Sequence, residues 1–135
     1  MDLITAKVKD MYEKYPFPGN KMINVAYGKW IRNDLQRRRL NVSNINILDA
    51  GCGSGEKVIS LAKVFPDSRI FECDIFEGSI RQAKELARQE RNQNVNFECL
   101  DLLNLDTERY KDYFDVIISW GVIHHLSDTI MTWII

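Results

Sequence analysis

The stretch that decides the fold is LDAGCGSGE, at residues 48–56, where three glycines alternate with small residues directly after an apolar run. Glycine permits the positive φ angles of a sharp turn, and it lets a ligand approach the backbone closely. The amide groups at the start of a following helix favour an anionic group. The stretch therefore predicts a ligand-binding turn between a strand and a helix.

Strand and helix patterns alternate from this turn onward. The predicted strands are short apolar runs, at 45–50, 69–74, 94–101 and 114–120. The predicted helices between them have apolar residues at three- to four-residue spacing, at 56–65 and at 79–93, where Ser79 is the expected N-cap. Alternation of this kind indicates βαβ units, so we predict an α/β fold with a doubly wound, mostly parallel sheet.

The chain before the first strand predicts a separate helical segment. Helices are expected over 2–14 and over about 22–40, although Gly28 weakens the second prediction, and YPFPGN at 15–20 forms the turn between them. We assign 1–43 to this N-terminal segment and 44–135 to the α/β domain. The aromatic residues of the N-terminal segment either fold over a ligand as a lid or cap the core, and packing against the core is the more usual role. They are Tyr12, Tyr15, Phe17, Tyr27 and Trp30.

Composition excludes several classes of function. The net charge of −1 over 135 residues gives no field for a polyanion, and the basic run at 37–39 is expected to be a solvated helix face. Three scattered cysteines without a CxxC pair argue against a disulfide framework or a metal site. No apolar run approaches the length of a membrane span, and the start MDLITAKVKD lacks the apolar core of a signal peptide. A cytoplasmic location is expected.

The spacing of the glycine turn distinguishes two classes of cofactor. A dinucleotide fold requires GxGxxG, and here Glu56 occupies the position of the third glycine. The pattern is instead Asp-x-Gly-x-Gly-x-Gly, and its carboxylate, Asp49, can face a positive group. A ligand with a carboxylate and an ammonium, such as a methionine moiety, fits this pattern better than a pyrophosphate does.

Two further carboxylates end the next two predicted strands. Asp74 follows the glycine turn at the distance where a carboxylate can accept hydrogen bonds from both ribose hydroxyls. Asp101 ends the third strand, where a base could be read. Since the carboxyl ends of parallel strands share one edge, we expect Asp49, Asp74 and Asp101 on one rim of the sheet.

Four stretches together resemble the successive motifs of class I S-adenosylmethionine-dependent methyltransferases of the type 11/12 group, whose fold is Rossmann-like. They are NILDAGCGSGE, IFECDIFEGSIRQAKE, NFECLD and FDVIISWGVIHHLSD, within 44–128. The resemblance implies S-adenosyl-L-methionine as the cofactor. The cofactor-binding residues it implies are Asp49, Gly51, Gly53, Gly55, Asp74, Ile75, Asp101, Leu102, Ser119 and Trp120.

The resemblance also assigns a role to each part of this set. The glycine turn would pass under the methionine part with Asp49 near its amino group, and Asp74 would hold the ribose. Asp101 and the Leu102 backbone would reach the adenine amine, and residues 119–121 would flank the sulfonium and its methyl group. Direct displacement at that methyl group is the implied reaction, on an acceptor that the sequence does not identify. No catalytic residue is assigned. For the two histidines at 124–125, a structural role or a place beside the cofactor is favoured over a role as general base.

The chain departs from the family in strand number. The family usually has seven strands, and this sequence predicts four, so we expect a truncated methyltransferase whose fourth strand is an apolar edge. Such an edge favours self-association or pairing with a partner chain. Two alternatives stay open: a non-catalytic S-adenosylmethionine-binding module completed by a partner, and a nucleotide-dependent oxidoreductase with a degenerate turn, against which Glu56 weighs.

Overall fold

A computed structural model describes residues 23–51, 55–101 and 104–119. Within these ranges the helices are α1 (Ala26–Arg37), α2 (Glu56–Val64) and α3 (Glu77–Gln89). The strands are β1 (Asn46–Ala50), β2 (Arg69–Asp74), β3 (Val95–Cys99) and β4 (Val116–Ile118). All pair in parallel in the order β3-β2-β1-β4. The predicted α/β fold with a parallel sheet is confirmed.

The order of the strands creates a switch point beside β1. The chain moves from β1 to β2 to β3 in one direction and then returns to place β4 on the other side of β1. In open α/β sheets, ligands bind outside the carboxyl ends of the strands at such a point. The end of β1 is where Asp49 and the glycine turn lie.

The two faces of the sheet are covered by different groups. One face packs against the helices through Ile47 and Ile70, which are fully buried with apolar residues of α2 and α3. The other face carries Leu48 and Cys73, over which the segment 104–114 lies. On this face the centre of the Phe71 ring lies 5.3 to 6.1 Å from the centres of three other aromatic rings, those of Tyr110, Tyr113 and Phe114.

Gly28 lies inside α1 and is required by its packing against α2. Its N–H donates a hydrogen bond of 2.8 Å to the buried Ser60 Oγ. A Cβ at this position would stand 2.6 Å from the Ser60 carbonyl oxygen and 2.8 Å from Val64 Cγ2. The glycine that weakens the helix prediction is therefore what lets the two helices approach.

Ser79 is not the N-cap of α3, and this prediction is wrong. The helix begins at Glu77 after Phe76 as N-cap, and Ser79 is buried within its first turn. The cause lies in Asp74, whose Oδ1 accepts a hydrogen bond of 2.9 Å from the Phe76 N–H and turns the chain earlier. The helix also ends at Gln89, before the predicted end.

The fourth strand is shorter than predicted, and its middle residue is exposed. β4 covers only three residues, and the middle one, Ile117, is 51% exposed. This exposure agrees with the prediction that the fourth strand is an apolar edge, because β4 is an outer strand of the described order.

Several predictions fall outside the described residues. They concern the helix 2–14, the turn 15–20 and the histidines at 124–125. The first three aromatic residues of the lid hypothesis also lie there. None of the described helices has the length and apolar character that crossing a bilayer requires.

Candidate functional site

The turn between β1 and α2 has two glycines in conformations that other residues rarely adopt. Gly51 has φ of +102° and Gly55 has φ of +95°. The Gly51 N–H donates to the Cys73 carbonyl oxygen at 2.8 Å, which extends the β1–β2 pairing by one residue. Gly55 is the N-cap of α2. The prediction of a sharp strand-to-helix turn is confirmed at both ends, and Gly53 lies outside the described residues.

Gly55 has a second reason to be glycine. A Cβ at this position would stand 2.7 Å from the Cα of Ala83 in α3. The close approach is between two parts of the protein, so this glycine is explained by helix packing and by its positive φ. The sequence pattern predicted room for a ligand here and could not show that α3 uses the room.

Asp49 lies in β1 just before this turn and is almost completely buried, at 2% exposure. Its Oδ2 accepts no hydrogen bond from any residue in the described ranges. Burial raises the pKa of Asp49 to about 6, Asp74 adds to the rise, and Glu72 and Lys57 oppose it. A buried carboxyl oxygen without a donor is suited to a positive ligand group.

Glu72 is an acidic residue of the site that sequence reasoning missed. It pairs in register with Asp49 on the neighbouring strand and is fully buried. The available signal was its place in RIFECD, two residues before Asp74 and therefore on the same face of the strand. Within an apolar run that position was interpreted only as part of a strand.

Tyr27 brings α1 into the same region. Its hydroxyl is buried and makes no hydrogen bond within the part of the chain that the structure describes. Burial raises the pKa of Tyr27, and the charges of Asp49 and Glu72 raise it further. The Lys57 Nζ lies 5.5 Å from the centre of its ring. Of the proposed lid aromatics, Tyr27 thus packs beside the acidic residues, whereas Trp30 is largely exposed.

Asp74 ends β2 one strand away and is held in a fixed orientation. Its side chain is 8% exposed, and the Phe76 N–H donates to its Oδ1. Its backbone carbonyl accepts the Leu100 N–H at 2.9 Å, which ties the ends of β2 and β3 together. Ile75 follows directly and is half-buried.

The remaining predicted residues follow β3 and β4. Asp101 is half-buried just after β3, and its carbonyl accepts the Asn104 N–H at 2.8 Å. Ser119 follows β4, and its buried Oγ has no hydrogen-bond partner among the described residues. Leu102 and Trp120 lie outside those residues. The four described strand ends thus bring Asp49, Asp74, Asp101 and Ser119 to one edge of the sheet.

A separate cleft of about 240 Å³ lies on the other face of the sheet. Phe71, Phe97 and Tyr110 contribute to its walls, and Arg109 and Glu98 supply charge. Neither Asp49 nor Asp74 lines it. Within the described residues no group of three or more histidine, cysteine or acidic side chains is arranged to hold a metal ion.

The sequence matches a known family over most of its length. The model of the family described as "Methyltransferase domain" matches residues 41–132, which include every strand of the sheet. The chain belongs to this family. The class I methyltransferase resemblance is therefore confirmed at the level of the family.

Two curated relatives of this methyltransferase domain are considerably longer than the chain. A malonyl-[acyl-carrier protein] O-methyltransferase of Bacillus cytotoxicus is 30% identical over 117 residues, covering 87% of this chain and 37% of the relative. An uncharacterized protein of Synechococcus is 31% identical over 136 residues, covering 94% of this chain and 32% of the relative. The chain thus spans about a third of the length of these relatives.

Solved structures share the fold of this methyltransferase domain. PKMT2 from Rickettsia typhi in complex with AdoHcy is 27% identical with a TM-score of 0.57, covering 67% of this chain and 17% of that one. Magnesium protoporphyrin IX methyltransferase from Synechocystis with bound SAH has a TM-score of 0.70 at 20% identity, over 91% of this chain and 61% of that one. The [4+2]-cyclase SpnF also has a TM-score of 0.70, at 18% identity, over 95% of this chain and 53% of that one.

Proposed function

We propose that this chain binds S-adenosyl-L-methionine at the carboxyl ends of its strands and is the cofactor-binding part of a methyltransferase with an unidentified acceptor. The observation that carries the proposal is the turn from Asp49 to Gly55, which combines two positive-φ glycines with a buried Asp49 carboxyl oxygen that has no donor among the described residues. Family membership and the ligands named in the two methyltransferase structures support it.

Each described strand end has a role in this proposal. Asp49 faces the amino group of the cofactor, and the positive φ of Gly51 and Gly55 lets the turn pass beneath its methionine part. Asp74 accepts hydrogen bonds from the ribose hydroxyls with a carboxylate that Phe76 already orients. Asp101 holds the adenine amine.

The rest of the proposed cofactor set completes the contacts. Ile75 contacts the adenosine, Ser119 and Trp120 flank the sulfonium, and Gly53 and Leu102 contribute backbone. These contacts bind and orient the cofactor.

The chemistry comes from the bound cofactor, which supplies an activated methyl group. The protein's task is then to orient the reactants and exclude water. The burial of Asp49 and Asp74 favours the exclusion of water and the binding of the cofactor, because a charged interaction strengthens where water is excluded.

We assign no catalytic base, and the acceptor stays unidentified because this fold supports many reactions. The similarity of the fold to a cyclase illustrates that point.

The test is titration of the chain with S-adenosylhomocysteine by calorimetry, comparing Asp74→Asn with the unchanged chain. Asparagine keeps an oxygen for the Phe76 N–H but loses the second acceptor, so we expect binding to weaken by roughly 10- to 100-fold. The control is Asp67→Asn, an exposed position after α2, which should bind normally. No saturable binding by a chain that circular dichroism shows to be folded would contradict the proposal.

A second candidate follows from the exposed side chain of β4. In it, the chain binds the cofactor without catalysing transfer, and its sheet is completed by a partner chain or by a second copy. The 51% exposure of Ile117 on the outer described strand supports this candidate. Co-purification of a stoichiometric partner would distinguish it from the first. A cytoplasmic location is part of both candidates, and it is supported by Cys73 and Cys99, which form no disulfide within the described residues.

A further inference from the structure

The packing of Tyr27 leaves one polar atom unexplained, its hydroxyl oxygen. That atom is enclosed by protein and has no hydrogen-bond partner within the part of the chain that the structure describes. Buried polar groups nearly always have a partner, so an isolated one indicates a group that is supplied from elsewhere. Burial, together with the charges of Asp49 and Glu72, raises the pKa of Tyr27, so its hydroxyl stays neutral.

The place of the Tyr27 ring is fixed by the contact between α1 and α2. The next residue, Gly28, donates its N–H to the buried Ser60 Oγ at 2.8 Å, and a Cβ there would stand 2.6 Å from the Ser60 carbonyl oxygen. The Tyr27 ring packs against the core between the helices and the sheet, to which Ile47 belongs. Because Asp49 follows Ile47 by two residues on β1, Tyr27 lies over the face of the sheet that carries Asp49.

Asp49 supplies a second polar atom without a partner in this region. Its Oδ2 has no donor among the described residues, so the Tyr27 hydroxyl does not bond to it. Burial raises the pKa of Asp49 to about 6, and the lowering effects of Glu72 and Lys57 limit that rise, so the carboxyl group is ionised at neutral pH. A carboxylate oxygen and a neutral hydroxyl oxygen are both acceptors, and an ammonium group has several N–H groups to donate. One ammonium group can therefore satisfy both atoms.

We propose that Tyr27 is a specificity-determining residue that binds the ammonium group of the cofactor together with Asp49, so that the site selects adenosyl ligands that carry an amino group. This inference rests on the proposed function and deepens it. The ammonium group donates one hydrogen bond to the Asp49 Oδ2 and a second to the Tyr27 hydroxyl oxygen. The hydroxyl keeps its own proton and takes no part in methyl transfer. Tyr27 thus packs against the core with its ring and contacts the ligand with its oxygen.

The experiment is calorimetry at neutral pH with three probes that differ in their amino-acid part. S-adenosylhomocysteine carries the amino and carboxylate groups, S-adenosyl-3-thiopropylamine keeps only the amino group, and 5′-methylthioadenosine has neither. Tyr27→Phe keeps the ring against the core and beside Lys57 and removes only the hydroxyl. We expect this variant to bind the first two probes about tenfold more weakly than the unchanged chain does, and to bind methylthioadenosine within about twofold.

The matched control is Tyr113→Phe, which removes a hydroxyl on the other face of the sheet, where the Tyr113 ring meets Phe71. It should leave the affinity for all three probes unchanged. The thermal midpoint of ligand-free Tyr27→Phe should stay the same or rise, because a buried hydroxyl without a partner does not stabilise the free chain. A purely structural role of this hydroxyl would lower that midpoint and weaken the binding of all three probes alike.

The outcomes separate this inference from the proposed function. If Tyr27→Phe binds S-adenosylhomocysteine normally, or binds all three probes more weakly to the same extent, the inference is wrong and the proposed function stands. Weaker binding of S-adenosylhomocysteine alone would assign the hydroxyl to the carboxylate of the ligand and would also overturn the inference.

A labelled chain decides the question should Tyr27→Phe fail to fold. A 3-fluorotyrosine at position 27 keeps the hydroxyl, and its fluorine resonance should shift with S-adenosyl-3-thiopropylamine and not with methylthioadenosine. Equal shifts with these two probes would contradict the inference. If the folded, unchanged chain binds none of the three probes, the proposed function fails and this inference fails with it.

Discussion

At the scale of single residues, Gly28 balances two opposing effects. A glycine within a helix is less favourable than alanine by about 1 kcal/mol. Inserting a side chain into a closely packed contact costs about 1–3 kcal/mol. At Gly28 the obstacle is the Ser60 carbonyl, 2.6 Å from the position of a Cβ, and backbone within α2 does not move as easily as the end of a side chain. Packing therefore outweighs propensity at this position.

We expect Gly28→Ala to lower the free energy of unfolding by about 1–2 kcal/mol, because the added methyl group separates α1 from α2 and weakens the hydrogen bond to Ser60. Urea denaturation followed by circular dichroism measures the change. Asn33→Ala, at an exposed position in the same helix, is the control and should be neutral or slightly stabilising. A more stable Gly28→Ala chain would show that α1 does not pack on α2 as described.

At the scale of elements, Asn94 joins the end of α2 to the start of β3. Its Nδ2 donates to three backbone carbonyls, of Ala62 at 3.3 Å, Phe65 at 3.0 Å and Ser68 at 3.2 Å. These carbonyls lie at and just after the end of the helix, where no intrahelical donor reaches them. The residue before β3 thus holds the connection from α2 to β2 in place.

Replacing Asn94 by alanine should lower the free energy of unfolding by about 1–3 kcal/mol, since three hydrogen bonds to backbone carbonyls are lost, although the Phe65 carbonyl keeps another donor, the Ser68 N–H. Hydrogen exchange should report the same change locally, as faster exchange in the last turn of α2. Asn96→Ala, two residues later and exposed on β3, should have less effect on both measurements. Equal effects of the two variants would mean that the hydrogen bonds of Asn94 contribute little.

At the scale of the whole molecule, the described sheet has an outer strand with apolar character. β4 pairs with β1 over three residues, and half of the Ile117 side chain is exposed. Apolar outer strands favour pairing with another chain unless a charge or a covering segment prevents it. Self-association through β4 therefore depends on which strand the fold places outermost.

We expect this chain to associate with itself at high concentration, and we expect Ile117→Lys to reduce that association by placing a charge on the outer strand. Sedimentation velocity over a range of concentrations measures both. Leu40→Lys removes an equally exposed apolar side chain that lies after α1 and outside the sheet, and this variant should associate like the unchanged chain. A chain that stays monomeric at every concentration, with a sharp two-state melt, would contradict the proposal.

The amino-acid sequence determined the order of elements in the α/β domain and its strand-end residues. Short apolar runs, helical periodicity and glycine turns are local patterns, so β1, α2 and β2 were predicted to within about a residue. Family membership could be inferred for the same reason, since its motifs are short stretches. Where a boundary depended on a distant partner the prediction was less accurate, as at the start of α3.

Only the tertiary structure decided which residues meet. Glu72 was interpreted as part of an apolar strand until the register of β1 and β2 placed it beside Asp49. Gly28 and Gly55 were interpreted from local conformation, and the structure added the contacts with Ser60 and Ala83 that forbid a side chain. The physical reason is the same in each case: burial, close approach and electrostatic repulsion depend on distances between segments that are remote in sequence.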